Sequence, residues 1–144
     1  MHVVNSKVIG ERSEGMVLAA LLRAGLVVLQ PFGDNQRYDL VVDVGAKFLR
    51  IQCKTARRVK QGVLMFDTCS SQNHRGKGRQ SYVGQIEMFG VYSPDTDKVY
   101  IVPIEDVGTV AASLRLTPPK GNTCRGRYRM AADYELQPDT FKCI

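Results

Sequence analysis

The stretch 38–54, YDLVVDVGAKFLRIQCK, decides the fold, because it reads as two β-strands joined by a tight turn. YDLVVDV (38–44) is mostly apolar, and KFLRIQCK (47–54) mixes apolar and polar residues. Gly45-Ala46 between them is a short hairpin signal. The sequence therefore predicts an antiparallel pair of strands at this point of the chain.

The register of this hairpin brings polar residues together at one end of the sheet. With the strands paired about Gly45-Ala46, residue numbers that sum to about 91 face each other, so Asp39 lies opposite Gln52. Gln52 and Lys54 point to one face of their strand and Cys53 to the other. A carboxylate, an amide and an ammonium group are thus expected to cluster there.

The helix before this hairpin adds a second carboxylate. Helical spacing from about Asn5 to Ala24, ended by Gly25, gives an apolar stripe of Val17, Leu21 and Ala24 with Leu18 and Leu22. Glu14 lies four residues before Leu18 and seven before Leu21, so it is expected on the stripe's face. Two acids with backbone oxygen and water suit Mg²⁺, and a lysine beside them can stabilise charge on a phosphate.

The rest of the chain reads as a run of strands, with no internal repeat and no linker. The pattern predicts an α/β fold: a mixed central β-sheet flanked by α-helices, in a single domain over 1–144 with a basic, loop-rich part from about 115. The further elements expected are strands at 26–30, 63–67, 86–92 and 98–104, a short helix at 105–114, and a final segment near 128–136.

Positive charge is concentrated in two segments. The 144 residues include 20 Lys and Arg against 14 Asp and Glu, a net charge of +6. Residues 50–79 hold eight basic side chains and one acid, and 115–129 hold five and none; together they carry +12 against −6 elsewhere. Such segments fit a polyanion, with nucleic acid favoured over a solvated basic surface and over an anionic membrane.

The remaining composition narrows the class of protein. No window approaches 18 uninterrupted apolar residues, and the N-terminus lacks a secretory pattern. The four cysteines form no C-x-x-C pair, which favours free thiols over disulfides or zinc. We expect an intracellular protein, cytoplasmic or nucleoid-associated, with an origin in a phage or an intron as an alternative.

The motif resembles that of the PD-(D/E)XK nuclease superfamily. It runs Gly10-x-x-x-Glu14, then Tyr38-Asp39, then Gln52-Cys53-Lys54, and the 25-residue and 13-residue spacings look like those of archaeal-type Holliday junction resolvases. The wording PFGDNQRYDLVVD, the QxK ending and SYVGQIEMFGVYSPDTDKVYIVP are similar to the small branch of intron-encoded homing endonucleases. This resemblance spans roughly residues 7 to 136 and implies a restriction-endonuclease-like core.

Two departures from the superfamily pattern concern the motif itself. Tyr38 stands where the superfamily's name places proline, and Gln52 replaces the usual acid, which removes one negative charge. The resemblance implies catalytic roles for Glu14, Asp39, Gln52 and Lys54, and a metal held by Asp39, the Cys53 carbonyl and Glu14. The ion implied is Mg²⁺, with Mn²⁺ as the alternative.

The implied activity is metal-dependent hydrolysis of DNA, double-stranded or branched, by a homodimer or higher homo-oligomer without membrane attachment. A Holliday junction-resolving enzyme and a site-specific homing-type endonuclease both fit. A catalytically silent DNA-binding module and a protein that binds an acidic partner remain alternatives, since Lys54 could be one more basic residue and Asp39 a strand-end cap. The expected DNA-binding residues are basic side chains of the two segments: Arg57, Arg58, Lys60, Arg75, Lys77, Arg79, Arg125 and Arg127.

Overall fold

The computed structural model describes residues 5–71, 78–121 and 128–142. One α-helix, α1 (Ser6–Arg23), opens this part of the chain. Its N-cap is Asn5, whose side chain accepts a hydrogen bond from the Lys7 N–H at 2.9 Å. Gly25, with φ of +82°, ends it in the left-handed conformation that glycine adopts readily. The predicted helix is confirmed almost to the residue.

Ten strands follow, arranged in three sheets within the described residues. They are β1 (Val27–Leu29), β2 (Leu40–Asp43), β3 (Phe48–Thr55), β4 (Arg57–Lys60), β5 (Val63–Asp67), β6 (Cys69–Ser71), β7 (Arg79–Ser81), β8 (Met88–Ser93), β9 (Lys98–Pro103) and β10 (Ala111–Arg115). The central sheet has the order β1-β2-β3-β8-β9, and a three-stranded sheet has the order β10-β5-β4. Strands β6 and β7 form a separate two-stranded ribbon.

The central sheet is mixed, as expected. Strands β3 and β8 are parallel, whereas β1–β2, β2–β3 and β8–β9 are antiparallel. The β2–β3 pairs are Leu40↔Ile51 and Val41↔Arg50, which is the register that the sum of 91 predicts. Gly45, with φ of +92°, makes the turn.

Two apolar cores lie on opposite faces of the central sheet. Val17 and Leu21 of α1 pack with Leu40, Val42 and Ile51 on one face, and all five are fully buried. The second core joins the other face to the three-stranded sheet, and its largest fully buried members are Leu64, Phe66, Phe89, Val91, Tyr100, Val102 and Leu114. Helix α1 therefore covers one face of the sheet and a second sheet covers part of the other.

The helix expected at 105–114 is wrong. The chain makes one 3₁₀ turn, Ile104–Asp106, and then strand β10, which pairs antiparallel with β5. Ala112 and Leu114 are buried and their neighbours only partly so, a period of two that follows the pairing. Leu22 also departs from the predicted stripe, because its side chain is 54% exposed.

The end of the described chain packs along β9. The Leu136 N–H donates to the Val99 carbonyl at 2.9 Å, and the Ile101 N–H donates to the Tyr134 carbonyl at 2.8 Å. A second 3₁₀ turn, Ala131–Asp133, lies just before these contacts. No helix in the described ranges is both long and apolar enough to span a membrane.

Candidate active site

Asp39 lies directly before β2, where the β2–β3 hairpin opens. Its backbone N–H donates to the Ile51 carbonyl at 2.9 Å, which continues the hairpin register by one residue. Its Oδ2 accepts a hydrogen bond from the Cys53 N–H, also at 2.9 Å. The carboxylate is therefore fastened to the β3 segment Gln52-Cys53-Lys54.

The Cys53 backbone, rather than its thiol, faces this carboxylate. Because the N–H and C=O of one strand residue point to the same side, the Cys53 carbonyl also faces the edge beyond the start of β2. The Gln52 Nε2 atom lies 3.5 Å from that carbonyl oxygen. Burial first, and then the charges of Asp39 and Glu14, raise the pKa of the Cys53 thiol well above its ordinary value, so it stays protonated.

Glu14 and Asp39 share one cleft. The cleft has a volume of about 290 Å³, and α1 and the loop before β2 supply its walls. The other lining residues are Gln30, Pro31, Gly33, Asp34, Gln36 and Tyr38. Ser13, one residue before Glu14, is buried against Thr55 of β3, to which its hydroxyl is hydrogen-bonded. This contact helps hold Glu14 at the cleft.

The two carboxylates are held in an environment that disfavours their charge. Burial raises the pKa of Asp39 above its ordinary value, opposed by the Cys53 N–H and by the positive charge of Lys54. The pKa of Glu14 is raised by burial, then by the negative charges of Asp39 and Glu11. A cation between Glu14 and Asp39 would relieve this repulsion.

Lys54 is close to Asp39 but is held by other groups. Its Nζ donates to the Cys69 carbonyl at 3.1 Å and contacts the Tyr82 hydroxyl at 3.4 Å. The same nitrogen lies 4.9 Å from the centroid of the Tyr82 ring. The structure thus brings Glu14, Asp39 and the Cys53 backbone together, and directs the Lys54 ammonium toward Tyr82 and β6.

Four of the eight expected DNA-binding residues lie on two strands, β4 and β7. Arg57, Arg58 and Lys60 stand on β4, an edge strand whose four residues are all exposed, and Arg79 is exposed on β7. Arg57 is the third residue after Lys54, about 10 Å of extended chain away. The other expected contacts, Arg75, Lys77, Arg125 and Arg127, lie outside the described residues.

Sequence reasoning missed two residues beside the site. Asp34 adds a carboxylate to the cleft wall, but it lies in the turn-rich GDNQR segment, where acids are common. Arg37, in the same segment, lies over the Tyr82 ring and hydrogen-bonds to the β6–β7 ribbon. Nothing local in the sequence marks either position, since both depend on contacts with distant parts of the fold.

The donor set suits a hard divalent cation with few protein ligands. Within 5–71, 78–121 and 128–142, no group of three or more His, Cys, Asp or Glu side chains could hold a metal. The site instead offers two carboxylates, a backbone carbonyl and the neutral Gln52 amide. Oxygen donors of this kind, completed by water, fit Mg²⁺, which is usually bound by one or two carboxylates.

A comparison with protein-family models identifies the family of the chain. The family model described as PD-(D/E)XK endonuclease matches residues 4–137, nearly the whole chain. The chain belongs to the PD-(D/E)XK endonuclease family. This PD-(D/E)XK endonuclease carries Asp39, Gln52 and Lys54 in the order of the family's name, with Tyr38 in place of its proline and Gln52 in place of its second acid.

A solved structure supports the same fold. The bacterial homing endonuclease I-Ssp6803I is similar with a TM-score of 0.64 and 20% sequence identity, over 92% of this chain and 88% of that one. At this identity the likeness shows the fold alone. No curated protein matches the chain. The restriction-endonuclease-like core expected of this PD-(D/E)XK endonuclease is confirmed.

Proposed function

We propose that the chain is a metal-dependent DNA endonuclease that hydrolyses phosphodiester bonds. The observation that carries the proposal is the hydrogen bond from the Cys53 N–H to Asp39 Oδ2, 2.9 Å long, which joins the two halves of the family motif. Glu14 shares the cleft with this carboxylate. The membership of the chain in an endonuclease family supports the same conclusion.

Asp39, Glu14, the Cys53 carbonyl and the Gln52 amide oxygen are the groups that would hold the divalent ion. We propose Mg²⁺, with Mn²⁺ as the alternative. When bound, such an ion polarises the phosphate and lowers the pKa of a coordinated water. Gln52 keeps an oxygen donor without a charge, so the protein contributes two formal negative charges from these four groups.

Lys54 supplies a positive charge that interacts with Asp39. In the proposed reaction a water loses a proton and attacks the phosphorus, and the bond from phosphorus to the leaving sugar oxygen breaks as that oxygen takes up a proton. The ammonium stabilises the negative charge that accumulates on the phosphate oxygens. Its contacts with Cys69 and Tyr82 fix its direction before substrate binds. An ammonium that is already oriented loses little free energy to reorganisation during the reaction.

The basic edge of the second sheet fits the DNA backbone. The exposed basic residues of β4 begin within about 10 Å of extended chain from Lys54, close enough for one duplex to contact both. Their charge would neutralise phosphates and release counterions. Their position supports a polyanionic substrate whose backbone passes the cleft of Glu14 and Asp39.

For the kind of DNA cut, we favour a site-specific enzyme of the homing type. The fold that the chain shares with I-Ssp6803I, a homing endonuclease, supports this choice. A junction-resolving enzyme is the second candidate, supported by the 25-residue and 13-residue spacings of the motif. The first kind of enzyme recognises the base sequence of its DNA, and the second recognises its branched structure.

The test compares purified wild-type protein, Asp39→Asn, Lys54→Met and the control Arg23→Gln, which changes the far end of α1. Each is incubated with four-way junctions, random duplex and a plasmid library of target sites, with Mg²⁺, Mn²⁺ or EDTA. We expect metal-dependent cleavage of a few library sites by wild type and Arg23→Gln, and at least about a 100-fold loss in the two site variants. Selective cutting of junctions would favour the second candidate, and intact DNA throughout would refute the enzyme.

A further inference from the structure

We propose that Arg37 is a positioning residue for Lys54: it holds Tyr82 and the base of the β6–β7 ribbon, and these hold the ammonium. The inference rests on the proposed function only in giving Lys54 a role in the reaction. The contacts themselves belong to the folded chain. Arg37 stands two residues before Asp39, so it joins the segment that carries Asp39 to the surroundings of Lys54.

All three nitrogen atoms of the Arg37 guanidinium are used. Its Nε donates to Gln85 Oε1 at 2.7 Å, and its Nη1 donates to Ser70 Oγ at 2.7 Å. Its Nη2 donates to the carbonyls of Gln80 at 3.3 Å and Ser81 at 3.1 Å. One side chain thus fastens β6, β7 and the turn after β7.

Tyr82 lies between this guanidinium and Lys54. The Arg37 Cζ atom lies 4.0 Å from the ring centroid, at the distance of a cation–π contact. The Lys54 Nζ lies 4.9 Å from the same centroid and 3.4 Å from the hydroxyl. Because Tyr82 is only 4% exposed, the ring has little freedom to move independently of these partners.

Each group that holds Lys54 is next in sequence to a group held by Arg37. Tyr82 follows Ser81, whose carbonyl accepts from Arg37, and Cys69 precedes Ser70, whose hydroxyl accepts from Arg37. Loss of the guanidinium would therefore loosen both Lys54 partners together. The Lys54 ammonium would then lose its fixed direction while Asp39 and Glu14 keep theirs.

A lysine at position 37 would keep the charge but only part of these contacts, because the planar guanidinium presents a rigid fork of donors and an ammonium is a compact point charge. If Arg37 only stabilised the β6–β7 ribbon, its replacement would lower the stability of the protein without a selective change in kcat. A direct DNA contact predicts weaker binding. A positioning role predicts a fall in kcat with KM nearly unchanged, since misplacing a reacting group by about 1 Å can cost about 100-fold.

The activity test compares Arg37→Met, Arg37→Lys, Tyr82→Phe and the matched control Arg23→Met under conditions in which wild type cleaves. We expect kcat to fall about 10- to 100-fold in Arg37→Met and less in Arg37→Lys, with KM nearly unchanged and Arg23→Met like wild type. Tyr82→Phe keeps the ring under Arg37 but removes the hydroxyl at Lys54, so a smaller loss is expected. Arg37→Met with Tyr82→Phe should lose little more than Arg37→Met alone, since both act on the position of the Lys54 ammonium.

A second readout does not depend on activity. The ε-CH₂ signals of Lys54 in carbon-13 NMR spectra, assigned by Lys54→Arg, should be displaced from those of other lysines by the Tyr82 ring. In Arg37→Met they should move toward the other lysines, and in Arg23→Met they should stay. If no protein cleaves DNA, this measurement still tests the positioning, and only the proposed function fails.

Three results would overturn the inference. These are a wild-type kcat in folded Arg37→Met, a change confined to KM, or unchanged Lys54 signals in that variant. If Arg37→Met does not fold, Arg37→Lys and Tyr82→Phe decide: wild-type kcat and Lys54 signals in both would refute the proposal.

Discussion

The site contains a few charged groups, and the free energy of burying each of them depends on the groups that contact it. Asp39 was placed correctly from sequence, because hairpin register follows directly from the turn and the alternation of side chains. The contacts of Lys54 were not predictable, since Cys69 and Tyr82 lie 15 and 28 residues away along the chain. Local patterns encode the first relation but not the second. The roles of both residues stay predictions.

Replacing Asp39 by asparagine should stabilise the metal-free protein at neutral pH. The folded state raises the pKa of this carboxyl, mainly by burial, so the folded chain binds more protons than the unfolded chain between the ordinary and the raised value. Stability of wild type therefore falls as the pH rises through that window. Asp39→Asn lacks this loss and can still accept from the Cys53 N–H.

Melting temperatures in EDTA across acid and neutral pH check this expectation. Asp39→Asn should melt higher than wild type at neutral pH, and the difference should vanish in acid. The exposed turn variant Asp95→Asn removes the same charge and should show no such gain. A lower neutral melting temperature for Asp39→Asn would contradict the reasoning.

Restoring the acid at Gln52 should tighten metal binding. Gln52→Glu places a third carboxylate beside Asp39 and Glu14, and ligand charge tunes the affinity of carboxylate sites for divalent ions. We expect the Mg²⁺ concentration for half-maximal binding to fall roughly tenfold, since opposite charges at contact attract strongly. Calorimetric titration with Mg²⁺ measures this affinity.

The control for this change is Gln137→Glu, which lies near Arg23 at the far end of α1. It adds the same charge to the molecule without approaching the cleft. An equal gain in Mg²⁺ affinity in both variants would mean that the net charge of the protein, and not the residue at position 52, determines the affinity.

At the level of elements, the sequence predicts correctly those whose hydrophobic pattern agrees with their packing and pairing in the fold. Helix α1, the hairpin and strand β5 were predicted closely, because capping residues, glycines and apolar runs mark them. The sequence predicts a helix where β10 lies, because the alternation of buried and partly buried residues in β10 is visible only in its pairing with β5. Strand β4 has no buried residue, so its RRVK sequence shows basic charge and no strand pattern.

The contact between α1 and β8 tolerates no side chain at Gly90. A Cβ built there would lie 2.8 Å from Val17 Cγ1 and 3.0 Å from Ile51 Cγ2, both buried in the core under α1. Gly90→Ala should therefore destabilise the protein by about 1–3 kcal/mol through overpacking. Urea unfolding monitored by circular dichroism measures the change.

Gly10→Ala is the matched control within α1. A Cβ there meets nothing within 4 Å, and alanine in a helix interior is favoured over glycine by about 0.5–1 kcal/mol. We expect this variant to gain stability while Gly90→Ala loses it. Equal effects of the two substitutions would rule out the close approach of α1 to β8.

At the scale of the whole molecule, charge and symmetry govern the encounter with DNA. A single site cuts one strand, so breaking a duplex requires two subunits, and the expected dimer or higher oligomer follows from the proposed activity. The sequence predicted the concentration of positive charge, but not that part of it lies along one edge strand. That placement arises because β4, in the described part of the chain, pairs with β5 at one end of the three-stranded sheet.

The salt dependence of DNA binding should reveal this edge. Each phosphate contact contributes about 0.9 to the slope of log affinity against log salt concentration. Arg58→Gln should reduce the slope by about 1, and Arg23→Gln should leave it unchanged. Fluorescence anisotropy with labelled duplex at several salt concentrations gives both slopes, and equal slopes would remove β4 from the interface.

Mixed oligomers should separate the two strand cuts. Wild-type chains refolded together with an excess of Asp39→Asn chains form assemblies in which one site of a pair is inactive. We expect nicked rather than linear product from a supercoiled plasmid that carries the target. If the amount of linear product depends only on the number of wild-type chains, one chain cuts both strands.

The β2–β3 hairpin has a consequence for the order in which the protein acquires its structure. Asp39 and Lys54 are only 15 residues apart, and hairpins of this kind close in about 1–10 μs. The parallel partner β8 lies more than 30 residues after β3, so its docking requires a longer and slower loop closure. We expect backbone amides of β2 and β3 to gain protection from hydrogen exchange before those of β8, so that the motif assembles before the core closes around it.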